Sequence, residues 1–273
     1  MRCWPRAWLL GGALLLCTIA SCRGLPTEPD AALQEATAEQ LVTLLRSRAE
    51  ATLSAKGLFR AQIKGPGLLL PARVDGTVYY RSPDAFRVRG FSLFGGELFE
   101  LVVNRDLYRL ALPTEKRELR GPASDLGRVA KFGRPVQLSL WAVHGALGLT
   151  TIGIEESVSL AEKGDRYRLD VRGPTEHGME GSYRRLWFDR RTLLMVQEEW
   201  LASSGEVEAV MRYEDYRAVP QATPMAETSA AVLPTLRPHR IVMEDGRGRG
   251  SVQLTFQEIV QNAPIRPEEL GSI

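Results

Sequence analysis

The sequence predicts a mainly β protein with some α: an antiparallel meander with one helix ahead of the sheet and a second in mid-chain. Three observations carry that expectation. From residue 57 onward, apolar and polar residues alternate at period two over most of the chain. Short links such as Ser82-Pro83-Asp84, Asn104-Arg105-Asp106 and Gly164-Asp165 separate the alternating runs, as antiparallel neighbours require. Two stretches alone show helical spacing.

The first helix begins at Thr37, which with Gln40 reads as a capping box. Leu41, Leu44, Leu45, Ala49 and Leu53 follow at helical intervals, and Gly57 stands where a glycine would end the helix. Strands are expected near 57–64, 73–81, 85–91, 97–104 and 107–112. Phe59, Ala61 and Ile63 alternate with Arg60, Gln62 and Lys64; Phe86 and Val88 with Arg87 and Arg89; Phe99, Leu101 and Val103 face away from Glu100. Each strand thus has one apolar face, and these faces share an interior. Pro135 opens a segment to Leu149 in which Val136, Leu140, Val143 and Leu147 recur at helical spacing, with Leu138 and Trp141 adding apolar surface elsewhere. Such a helix is either buried all round or lies over an apolar opening as a lid. Strands resume near 155–161, 166–172, 181–189, 193–201 and 206–216. An exposed loop with three prolines spans 219 to 234, and a hairpin near 239–244 and 250–259 ends the sheet. Phe59, Phe86, Val88, Phe99, Leu101, Leu254 and Phe256 are candidates for the inward face. Taken singly, each fits packing in a closed core better than contact with a ligand.

The amino terminus says where the protein goes. Arg2 and Arg6 precede an apolar run from Ala7 to Ile19, and small residues lead to Cys22, which fits an export signal. A spanning helix needs about 20 apolar residues, and here Arg23, Pro26, Glu28, Pro29 and Asp30 follow at once. Residues 1–21 are therefore read as the signal, residues 22–36, rich in Pro, Ala and Glu, as a tether, and residues 37–273 as one domain.

Composition removes whole classes of function. Losing residues 1–21 deletes two of 35 Lys+Arg and none of 33 Asp+Glu, so the mature chain carries 33 of each and no nucleic acid is expected as a partner. Cys3 and Cys17 leave with the signal, so no disulfide framework or thiolate metal site is expected. His144, His177 and His239 are scattered and no serine sits in a G-x-S-x-G setting, so neither a catalytic constellation, a metal nor a cofactor is expected. Glu155-Glu156 and Glu198-Glu199 are adjacent on strands, which sends their side chains to opposite faces, and they read as solvated positions. The glycines at 246, 248 and 250 read as a hairpin tip, since no helix pattern follows them. Phe91-Ser92-Leu93-Phe94-Gly95-Gly96 stands apart, because it joins two strands with apolar residues where polar turn chemistry is expected. Either Phe91 and Leu93 tuck into the core, or the tip meets acyl chains or a bilayer.

Two resemblances add to this reading. Ile19-Ala20-Ser21-Cys22 resembles the lipobox of bacterial lipoproteins, which implies that Cys22 becomes an acylated amino terminus and that Arg23 directs the protein to the outer membrane. The stretches 86–101, 135–149 and 238–260 together resemble the LolB family of outer-membrane lipoprotein receptors, over about residues 37 to 262. That resemblance implies a half-open antiparallel β-barrel whose apolar cavity is covered by an N-terminal helix and a mid-chain lid helix. It further implies a protein anchored in the outer membrane and facing the periplasm, which accepts acylated lipoproteins or other lipids from a periplasmic carrier. Leu93 and Phe94 match the loop that assists membrane insertion, and Trp141 joins the cavity-lining candidates. The chain departs from the family in its length, its proline-containing loop and its Phe-Gly-Gly tip. These departures leave a second expectation open, a lipoprotein of the same fold that binds another apolar ligand or an assembly partner without transferring it.

Overall fold

In the computed structural model, residues 32–65, 71–128, 142–173, 183–222, 235–248 and 250–273 are described. Cys22, Trp141 and His177 lie outside them, as do Pro135 to Leu140 and most of the proline-containing loop. The helix α1 (Ala38–Glu50) is capped as its sequence requires: the Gln40 amide donates to Thr37 Oγ1 at 3.3 Å and Thr37 N–H to Gln40 Oε1 at 2.8 Å. It stops at Glu50 rather than running on to Gly57. Gly57 lies in the first strand, where a Cβ would come within 2.9 Å of Val78 and 3.2 Å of Phe256, so that glycine answers to packing and not to helix termination.

Six strands follow: β1 (Ser54–Lys64), β2 (Ala72–Arg81), β3 (Ala85–Phe91), β4 (Glu97–Asn104), β5 (Leu107–Leu112) and β6 (Arg117–Pro122). A segment containing the helix α2 (142–147) leads to β7 (Ser157–Lys163), β8 (Arg166–Arg172), β9 (Tyr183–Asp189) and β10 (Met195–Leu201). The chain ends with β11 (Val207–Val219), β12 (Thr235–Asp245), β13 (Ser251–Gln261) and the short helix α3 (Pro267–Leu270). The 13 strands of the described residues form one antiparallel sheet in the order β6-β5-β4-β3-β2-β1-β13-β12-β11-β10-β9-β8-β7. The first and last strands pair at its middle, with Phe59 opposite Phe256 and Ala61 opposite Leu254. Its free edges, β6 and β7, are consecutive in the chain and do not pair, so the sheet stays open.

Period-two alternation gives this sheet two unlike faces. The convex face is a mesh of arginine and carboxylate: Arg87 and Arg109 both grip Glu100, Arg89 meets Glu97 at 2.9 Å, and Arg60 meets Asp75 at 2.7 Å. The carboxy terminus folds onto this face. Lys56 Nζ holds Glu269 at 2.8 Å, bringing that carboxyl down to about 2, and Arg109 donates to the Ser272 carbonyl at 2.7 Å. The concave face is apolar. One cluster joins Phe59, Val78 and Val88 from one half of the sheet to Leu169, Leu186, Met211 and Ile241 from the other. A smaller cluster of Leu101, Tyr108, Leu110 and Leu112 continues it toward β6. Burying each such large side chain contributes about 1.5–3 kcal/mol.

Candidate functional site

The two helices cover this concave face. Leu41 and Leu45 anchor α1 in the core, and Tyr167 straps its entry: the Ala36 amide donates to the Tyr167 hydroxyl, which donates in turn to the Gln34 carbonyl, both at 3.0 Å. Ala142, Val143, Ala146 and Leu147 bury one side of α2. The helix sits close because it lacks side chains where the sheet approaches. A Cβ on Gly145 would meet Tyr213 Oη at 2.2 Å, and Gly148, at φ +71, closes the helix against the guanidinium of Arg237. On the other half of the sheet the His144 ring meets Phe86 edge-on with centroids 5.5 Å apart, so α2 bridges both halves.

The sequence-predicted inward residues are on the concave face. Phe59, Phe86, Val88, Leu101, Leu254 and Phe256 are buried, while Phe99 is partly exposed. Several of them fill space over glycines. The Phe59 ring occupies the place of a Cβ at Gly76, and the Phe99 ring that at Gly90, each directly across the ladder. None of these residues lines the two cavities described in this structure.

The larger cavity, about 350 Å³, lies under α2 and is lined by His144, Thr150, Thr151, Glu156, Arg184, Glu198 and Trp200, among others. Sequence analysis placed Glu156 and Glu198 in solvent, and the structure corrects this. Glu198 is 2 % exposed and points inward between Leu186 and Met211, whereas Glu199 turns to the convex face and accepts from Trp187 at 3.1 Å. Arg184 holds the cluster together. It donates to the Thr151 carbonyl at 2.6 Å and to Glu156 Oε2 at 2.9 Å, and its Nη1 lies 3.7 Å from Glu198 Oε1. Tyr213 donates to Glu198 Oε2 at 2.9 Å. Burial pushes the Glu198 carboxyl above the ordinary range, and burial beside that carboxyl pushes the Tyr213 phenol well up. These groups converge on one another, so the arrangement neutralises charge under the helix. His144 opens to solvent at the rim. Among the described residues no group of three or more His, Cys, Asp or Glu could hold a metal ion, and no helix is long and apolar enough to cross a membrane.

Leu93 and Phe94 sit at the tip of a tight turn between β3 and β4. Ser92 closes it, its amide donating to the Gly96 carbonyl at 2.8 Å and its Oγ accepting from the Gly96 amide at 3.1 Å, with Gly95 at φ +83. The turn holds Leu93 at 61 % and Phe94 at 99 % exposure, so Leu93 does not tuck into the core. Ile154, fully exposed, precedes β7 at the same end of the sheet, because β4 and β7 run in the same direction.

An open antiparallel sheet with helices across its concave face defines a LolA-type fold. Solved structures share it. A LolA superfamily protein from Nitrosomonas europaea is 13 % identical, with a TM-score of 0.56 over 87 % of this chain and 99 % of the other. A putative outer membrane lipoprotein-sorting protein domain from Vibrio parahaemolyticus is 12 % identical, with a TM-score of 0.57 over 85 % and 94 %. A DUF1329 family protein from Desulfovibrio piger is 10 % identical, with a TM-score of 0.57 over 84 % and 94 %. The sequence matches no protein-family model and no curated protein.

Proposed function

We propose that this is a lipoprotein of the cell envelope, anchored in the outer membrane through acylated Cys22, whose domain 37–273 accepts acyl chains on its concave face and delivers them to the membrane. The observation that supports it most directly is that an apolar concave face is covered by helices lying outside an unclosed sheet. Moving those helices exposes apolar surface without breaking a strand ladder. Shelter of this kind is what acyl transfer requires, since each methylene left in water costs about 0.8 kcal/mol. The fold's occurrence in a putative lipoprotein-sorting domain agrees with this reading. No covalent chemistry is involved. Leu93 and Phe94 are the residues we assign to membrane contact, with Phe59, Phe86, Val88, Phe99, Leu101, Trp141, Leu254 and Phe256 to acyl contact after the helices shift.

The rings packed over Gly76 and Gly90 favour a second reading, in which the face stays filled and the protein binds a different apolar ligand or an assembly partner. Native mass spectrometry distinguishes the two. A stoichiometric complex with acylated protein drawn from a loaded periplasmic carrier, lost on competition with free acyl chains, supports the first reading. No transfer, with another lipid co-purifying, supports the second. For the loop, the L93E/F94E double variant is expected to capture cargo normally and fail to deliver it to liposomes; unchanged delivery removes the loop from the mechanism.

A further inference from the structure

Two arginines meet at the other end of the sheet without an acid between them. Arg237 opens the buried part of β12 and is 3 % exposed; Arg48 comes from the last turn of α1. Their acceptors are all neutral. Arg237 Nη2 donates to Thr52 Oγ1 at 2.9 Å and to the Arg48 carbonyl at 3.2 Å, and its Nη1 donates to the Leu236 carbonyl at 3.4 Å. Both Nη atoms of Arg48 share the Leu193 carbonyl at 3.2 Å. Tyr216, beside them, donates its hydroxyl to the Met195 carbonyl. Asp215, the acid adjacent in the chain, is exposed and spent on Arg217. Among the described residues no carboxylate lies within ion-pairing distance of either guanidinium.

Such an arrangement is unusual, because buried charges are normally paired. Burial and the neighbouring Arg48 bring Arg237 down to about 10, which leaves it cationic at neutral pH. Both arginines line one small cavity of about 30 Å³, whose other walls include Leu45, Leu194, Met195 and Leu236. Guanidinium groups offer five N–H donors each, and among the described residues Arg237 has no acceptor for its Nε hydrogen or for one on Nη1. The site therefore has two positive charges, donors that no described residue accepts, apolar walls and space for a group of about water size, such as the oxygens of an oxyanion.

From this geometry we infer that Arg48 and Arg237 form a binding site for a compact oxyanion, a carboxylate or phosphate, whose charge completes the pair. The apolar walls admit the head of an amphiphile as well as a free ion. The site stands whether or not the protein transfers lipoproteins, since it uses neither the Leu93–Phe94 turn nor the anchor.

Calorimetric titration of the full chain in a neutral maltoside detergent tests it, with inorganic phosphate, octyl phosphate, octanoate and octanol as probes. Saturable binding is expected for the anions and none for octanol. R48Q, at a half-buried position that leaves the core intact, is expected to weaken anion binding about tenfold, as removal of a charge-assisted contact does. R237Q is expected to abolish it. Octyl phosphate binding at least tenfold tighter than inorganic phosphate assigns the site to an amphiphile; equal affinities assign it to a free ion. Absence of saturable binding by every anion, or anion binding unchanged in R48Q, overturns the inference.

Discussion

Two buried guanidinium groups on the apolar side of the sheet meet opposite fates. Arg184, on β9, is surrounded by Glu156, Glu198 and the Thr151 carbonyl, so its charge is answered from two sides. Arg237, on β12, finds only carbonyls and a hydroxyl, with a second cation nearby. Burial is similar for both, and the difference lies in the acceptors. A buried arginine thus marks a complete structural cluster or an incomplete one according to its acceptors, and the incomplete one is where a ligand is to be sought.

Removing Arg184 should do the most damage. R184M leaves Glu198 buried without its cation, and a loss of about 3–5 kcal/mol is expected in urea unfolding, the range for breaking a buried pair. A much smaller loss would show that Tyr213 alone satisfies the carboxyl and would weaken the contrast. Next in size is G145A, which drives a methyl into Tyr213 and should destabilise by about 1–3 kcal/mol. R237M should move stability the other way, by about 1 kcal/mol, because it removes a charge that nothing compensates; a loss as large as that of R184M would erase the distinction. The smallest effect is on pH dependence. The Glu198 carboxyl is raised in the folded protein, so its contribution is complete at low pH and declines as pH climbs through that raised value. Unfolding midpoints across pH 4 to 8 should therefore slope downward more steeply for the native chain than for E198Q, and parallel profiles would show that Glu198 does not titrate there.

Much of the fold was legible because period-two alternation is a direct record of two unlike faces. Phe86-Arg87-Val88-Arg89 places its phenylalanine and valine on the concave side and both arginines in the convex mesh. The capping box at Thr37 was equally plain. The elements the sequence hides have no alternation to show. Strand β6 is an edge strand of Arg, Glu, Leu, Arg, Gly and Pro, mostly exposed, with no run of apolar residues to signal it. The early part of β12 carries Arg237 and His239 at its inward positions, so a polar-looking stretch with Pro238 in it is in fact buried. Glu198 is hidden for a different reason. A register shift between Met195 and Gln197 changes the phase of β10, so the carboxylate falls on the face that simple counting from Met195 assigns to solvent. Both polar clusters lie at such breaks in the pattern, and the pairing of their members spans sequence distances no local motif encodes.

The position of β13 has a consequence for how the chain is made. Among the described strands it comes after all the others in chain order, yet it fills the centre of the sheet between β1 and β12. Until it arrives, a growing chain holds two separate ribbons, β1 to β6 and β7 to β12, each ending in an unpaired strand with its apolar side uncovered. The arrival of β13 thus joins them in a single event, and a chain broken off before Ser251 leaves two sticky halves in place of a weakened whole.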